Sequence, residues 1–291
     1  MNKQALFDDL LVSAPNGGGL FALRGGEVQH LDSLSSTGLA LHGATLARAL
    51  QPADWVVYGL DDTVTSVAAA IHCADIHDVL WLDDGFLMVS TDHNEVVRVD
   101  ADFRPVQRWA FPGELDSMHI NCLALWGDEV VFSAFGMFSE RRAYKGASAG
   151  AGFVRGLNGV EPIITGLSQP HSLKPLGADL LLADSETRSI ALFDRQGREK
   201  RRKVLDGYTR GIAIGRHALF VGLSASRTPE PCGLPTATLV ALDLHSWEEV
   251  GRIALPAREI YEVLELPVGV DMAALVERID AVKINPFIYY E

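Results

Sequence analysis

Three histidines and one arginine recur at the openings of similar segments: His77 in HDVLWLDDGFLMVS, His119 in HINCLALWGDEVVFSA, His171 in PHSLKPLGADLLLADS and Arg210 in RGIAIGRHALFVGLS. Neutral imidazoles joined by a carboxylate can hold a divalent ion such as Zn, Fe or Mn and leave positions open for substrate and water. An ion held in this way lowers the pKa of its bound water or polarises a carbonyl. The expected ligands are His77, His119, His171 and Glu259. Arg210 would grip a substrate carboxylate or phosphate through its planar fork. Asn121, Ser172 and Glu262 would complete the substrate contacts, and Asp78 or Tyr261 would move the proton. His119 and Asn121, two residues apart, would point the same way from a strand.

Those residues need a scaffold that repeats. Each segment reads as a strand, a tight polar turn and a second strand rich in β-formers. Counting back from Ser90, Ser133, Asp184 and Leu223, the opening residue lies 13, 14, 13 and 13 positions earlier, so the four would share one structural position. Strand–turn–strand units with a period near forty residues are the sign of a β-propeller. Leu10–Ala14, Leu20–Arg24 and Glu27–Leu31 are three strands without a leading inner strand, and Glu259–Leu266 is an inner strand without followers. Closure is therefore expected between the two ends, which pairs otherwise open edges. With Ser36–Leu41 opening a blade that continues through Trp55–Gly59 and Val64–Ala69, the expectation is an all-β, six-bladed propeller over residues 1–267. A tail, 268–291, would pack on it with a short helix at Met272–Ile279.

Two insertions, Met137–Gly152 and Ala225–Thr236, fall between the second and third strands of their blades. In an up-and-down blade that loop shares a face with the start of the inner strand. Both should overhang the mouth where the histidines sit, as functional loops on rigid scaffolds do.

A net charge of −13 excludes a broadly basic surface, so nucleic-acid binding is not expected. The one basic run, Arg198–Lys203, reads as a solvated outer strand. No apolar run is long enough to span a bilayer, and the N-terminus lacks a signal-peptide core. Three cysteines, Cys73, Cys122 and Cys232, form no metal-binding or disulfide pattern. The expectation is a cytoplasmic protein acting on a small molecule, away from membranes.

His72, Cys73, Asp75 and His93 would stand behind the ring of histidines. GASAGAG, Gly146–Gly152, lacks the Lys-Ser/Thr ending of a phosphate loop, although Arg141, Arg142 and Lys145 beside it could clamp an anion. Asp61-Asp62 and Asp83-Asp84 are turn chemistry.

The motifs HINCLA, QPHSL, TRGIAI followed by FVGLSASR, and EIYEVLELP resemble, in order, those of a family of uncharacterised bacterial propeller proteins. The architecture is distantly similar to the gluconolactonase and senescence-marker family. That resemblance implies six blades and a metal-dependent lactone or ester hydrolase. The family's metal site uses Glu, Asn and Asp, where this sequence offers His, Asn and Glu. Two functions remain open: a metal-dependent hydrolase or lyase for a small polar, carbohydrate-like substrate, or a non-catalytic propeller that binds a sugar, peptide or protein partner through the same face.

Overall fold

A computed structural model describes residues 6–43, 45–51, 54–59, 73–82, 85–100, 104–225, 235–270 and 272–281. The strands run in chain order as β1 (Leu10–Ala14), β2 (Gly19–Arg24), β3 (Glu27–Asp32), β4 (Ser36–His42), β5 (Thr45–Leu50) and β6 (Asp54–Gly59). Next come β7 (Ile76–Leu82), β8 (Gly85–Ser90), β9 (Glu95–Val99), β10 (Pro105–Ala110), β11 (Ile120–Trp126), β12 (Glu129–Ala134), β13 (Gly152–Gly156) and β14 (Pro162–Leu167). The last are β15 (Pro170–Leu176), β16 (Asp179–Asp184), β17 (Ser189–Phe193), β18 (Glu199–Val204), β19 (Tyr208–Ile214), β20 (Leu219–Ser224), β21 (Thr238–Leu242), β22 (Glu249–Ala254) and β23 (Glu262–Glu265).

Four consecutive strands pair antiparallel in each of the sheets β7–β10, β11–β14, β15–β18 and β19–β22. A fifth four-stranded sheet has the order β23-β1-β2-β3, so the C-terminal strand is innermost in the blade of the first three. This is an all-β propeller closed as the incomplete ends require. Five blades are complete in the described residues, against the expected six. Strands β4–β6 form a three-stranded sheet, and the expected strand Val64–Ala69 lies outside the described residues.

Sequence explains the layering within a blade. Second strands such as β8 (GFLMVS) and β20 (LFVGLS) are buried along their whole length, flanked by strands and covered on both faces. Outer strands β10 and β18 are mostly exposed, and the basic run of Arg198–Lys203 falls on β18, as expected of a solvated edge. Core packing lies between adjacent sheets: Leu181 and Ile190 of one meet Ile212, Val221 and Val240 of the next. The helix Met272–Ala281 packs Leu275 and Ile279 against Leu20, Leu46 and Leu266. No helix among the described residues is long and apolar enough to cross a membrane.

One irregularity is repeated. Strands β4, β7, β11, β15 and β19 each slip register within their first few residues: between Ser36 and Leu39, Ile76 and Val79, Ile120 and Cys122, His171 and Lys174, and Thr209 and Ile212. A bulge bends its strand and re-aims side chains. Here it lets inner strands crowd the axis. A Cβ on Gly211 would lie 2.8 Å from the Glu262 backbone, and one on Gly38 would lie 2.7 Å from Val79 N.

Candidate functional site

The pairings set the true register. Ile76, Ile120, Pro170 and Tyr208 face Ser90, Ala134, Asp184 and Ser224. His77 and His171 are thus both the second residue of an inner strand, as expected. His119 precedes its strand and occupies the position of Asp75 and Gln169. All three of those residues have a left-handed backbone, with φ of 50°, 54° and 55°. Arg210 is the third residue of β19. The four are not copies of one position, and His119 and Asn121 are not on one strand face.

They nevertheless converge. The His77 and His119 rings meet edge to face at 4.9 Å, and Tyr261 lies 5.7 Å from His77 and 6.1 Å from His171. The Arg210 guanidinium sits over Tyr261 at 5.3 Å. One Arg210 Nη donates to Glu259 at 3.1 Å and the other to His171 Nε2 at 3.1 Å. Its Nε is buried and has no hydrogen-bond partner among the described residues.

Hydrogen bonds fix the tautomers. His77 Nδ1 faces the Asp75 carbonyl at 3.0 Å and His171 Nδ1 the Gln169 carbonyl at 2.9 Å, so both carry hydrogen on Nδ1. His119 Nδ1 lies 2.8 Å from Asp116 Oδ1. Each ring thereby turns a bare Nε2 away from its anchor, and that of His171 accepts from Arg210. Burial pushes the His77 pKa down to about 4; burial, then the Arg210 charge, push that of His171 well below the ordinary value. Both rings are neutral at physiological pH.

Asp116 was not foreseen. It is 1 % exposed and also accepts from Arg142 Nε at 2.7 Å and Tyr144 Oη at 2.9 Å. Burial alone would raise its pKa, but the hydrogen bonds from His119, Arg142 and Tyr144 outweigh it and hold the carboxyl at about 2. Arg142 and Tyr144 belong to the insertion Met137–Gly152, and the Tyr144 ring lies 4.6 Å from His119. That insertion overhangs the mouth as expected. Most of Ala225–Thr236 lies outside the described residues, as do His72, Cys232 and the two Asp-Asp pairs.

Several expected site residues are engaged elsewhere. Asn121 is fully buried; its Nδ2 donates to the Pro170 carbonyl at 2.9 Å and its Oδ1 accepts from Ser133. Ser172 Oγ accepts from Ile212 N at 2.8 Å and ties two blades together. Tyr261 Oη donates to the Asn121 carbonyl across the channel at 3.2 Å. Burial raises the Tyr261 pKa well above normal, which unsuits it as a base. Asp78 and Glu262 line a separate cavity at the other end of the inner strands.

The four expected metal ligands do not form one donor set. Among the described residues no three His, Cys, Asp or Glu side chains are placed to hold one ion. The physical reason is Arg210, a permanent cation bridging His171 and Glu259. Of the three expected histidine ligands, His77 and His119 accept no hydrogen bond at Nε2 from a described residue, whereas His171 does.

The fold and this mouth define a β-propeller with an imidazole-rich channel entrance. The chain belongs to the DUF4915 family, a domain of unknown function, whose pattern matches residues 60–274. Similar solved structures share the fold. A protein of unknown function from Bacteroides caccae has a TM-score of 0.64 at 13% identity, covering 87% of this chain and 97% of that one. A luciferin-regenerating enzyme gives 0.57 at 11%, covering 78% of each. A calcium-binding regucalcin from Agrobacterium tumefaciens gives 0.55 at 14%, covering 78% of this chain and 76% of that one. No curated protein sequence matches significantly.

Proposed function

We propose that the mouth formed by His77, His119, His171 and Arg210 is the active site of a hydrolase or lyase for a small polar substrate bearing a carboxylate or phosphate. The observation that carries this is the Asp116–His119 pair: a buried carboxylate fixes Nδ1–H and leaves Nε2 as a base at the channel entrance. In this reading His119 Nε2 takes the proton from water or from a substrate carbon, and Asp116 orients the ring and steadies the imidazolium. Arg210 holds the anionic group, exchanging its Glu259 contact for the substrate. His77, neutral and edge-on to His119, accepts a substrate hydroxyl hydrogen. That one similar fold is named as an enzyme agrees with this reading.

A divalent ion would find two donors, His77 and His119, and would need Arg210 to move before His171 and Glu259 could join. The near-complete burial of His171 and Tyr261, 1 % and 3 % exposed, favours the rival, a non-catalytic propeller that only binds its ligand here.

The test is acid release from a panel of sugar lactones and aryl esters, with and without added Zn, Mn or Fe. His119→Gln should lower kcat by about a hundredfold or more, while Arg210→Lys should chiefly raise KM. Saturable binding of sugar acids without turnover would establish the rival. Elemental analysis of the parent protein and of His119→Ala reports whether a metal travels with the site.

The three-stranded sheet β4–β6 is proposed as the sixth blade, with the expected strand Val64–Ala69 as its fourth. Its place supports this: Thr37 Oγ1 donates to the Ile76 carbonyl of β7, and Ser13 Oγ of β1 to the Thr37 carbonyl. An experimental structure with no strand paired to β6 would limit the ring to five complete blades.

A further inference from the structure

The channel has a second mouth that the histidine site does not use. Around the C-terminal halves of β4, β7, β11 and β15, with β23, lies a cavity of about 340 Å³. That is within the range of small-molecule sites, roughly 300–1,000 Å³. Its charged lining is Asp78, Glu262 and Lys174, two carboxylates against one ammonium. Lys174 Nζ pairs with Glu262 Oε2 at 3.1 Å. The remaining Glu262 oxygen accepts from Val263 N, and Asp78 accepts from the N–H groups of Val79 and Leu123. Backbone donors hold both carboxylates in place, and among the described residues that line the cavity only Lys174, paired with Glu262, carries a fixed positive charge. The walls are apolar: Leu41, Leu80, Trp81, Leu125 and Leu264.

We propose that this lower mouth binds a small organic ammonium ion carrying an apolar tail. Net negative charge at the floor selects a cation, because a buried uncompensated charge is costly and a partner relieves it. Ammonium N–H groups match carboxylate acceptors, and the tail covers the leucines and Trp81. A bare metal ion is disfavoured by the Lys174 ammonium already paired with Glu262, and an anion by the net charge. Burial keeps the Cys122 thiol protonated, and His42 closes the lining on β4.

The experiment is calorimetric titration of the full chain with hexylammonium chloride, with sodium hexanoate as the control of equal tail length. Hexylammonium should bind saturably at one equivalent at pH 8, and hexanoate should not bind. Glu262→Gln should abolish the heat. Leu125→Lys adds a positive charge on a rim residue 42 % exposed, so it leaves the fold intact, and should weaken binding at least fivefold. His119→Gln, at the other mouth, should leave the affinity within twofold. The proposal is overturned by no saturable heat with hexylammonium, by equal binding of hexanoate, by an unchanged affinity in Leu125→Lys, or by loss of binding in His119→Gln.

Discussion

Replacing Asp116 by Asn keeps the shape of the side chain and removes its charge. The carboxylate is buried and accepts from three donors: His119 Nδ1, Arg142 Nε and Tyr144 Oη. An amide accepts through one atom only, so at least one donor would face an NH₂ group. A folded-state pKa of about 2, against 3.8 for a free carboxyl, sets the scale. At about 1.4 kcal/mol per pH unit this is about 2 to 3 kcal/mol of stability at neutral pH. Arg142 is half exposed and finds water easily, which favours the lower end. Because the folded pKa is depressed, this stability is fully present above about pH 4 and is lost as pH falls through 2. Urea unfolding of parent and variant should therefore show a gap of about 2 kcal/mol at pH 7 and pH 5, and about half of that at pH 3. A gap of the same size at pH 3 would refute the reasoning, since the cost would then be steric. So would a gap below about 0.5 kcal/mol at neutral pH, within the range of ordinary surface substitutions.

His77 should make the protein acid-sensitive in a different range. Its folded pKa of about 4 lies below the free value of 6.5, so the unfolded chain protonates first and stability falls between those values as pH drops. The slope is at most about 1.4 kcal/mol per unit; His77→Asn should flatten it in urea midpoints from pH 7.5 to 4.5, with His171 retaining part. Gly211→Ala should cost about 1 to 3 kcal/mol in thermal or urea unfolding, because the new methyl meets the Glu262 backbone and not a movable side chain. Ser13→Ala should cost about 1 to 3 kcal/mol: its hydroxyl accepts from Glu262 N at 3.0 Å and donates to the Thr37 carbonyl, and both would be left buried without partners.

The fold was legible because apolar segments, turns and their spacing repeat, and because the unmatched strands at the two ends state how the ring closes. The convergence of histidines was legible in part. His77 and His171 share a register position that counting could find. His119 reaches the same mouth from two positions earlier, through a left-handed residue that no composition rule announces. Bulges carry no residue signature, so counting sets Arg210 one residue out of register and does not show that Asn121 and Ser172 bond across the joints between blades. Asp116 left one faint trace, an Asp three residues ahead of His119 in DSMHIN; the loop geometry that aims it at the ring is tertiary. The expected metal set is not assembled among the described residues, where Arg210 bridges His171 and Glu259. Sequence places Arg210 among the ligands, and only the structure shows it occupying two of them.

The join between β1 and β23 has a consequence for how the chain is made. Leu10 pairs with Glu265, so the partner of the first strand is synthesised about 250 residues after it. At translation rates of roughly 5–20 residues per second the wait is about 12 to 50 seconds. Throughout it the first strand, LLVSA, wholly buried in the finished ring, offers an open hydrogen-bonding edge. The blades can form one after another on the ribosome, but the circle cannot shut until nearly the last strand arrives. Yield on expression should therefore depend on the speed of synthesis and on chaperones that shield that edge.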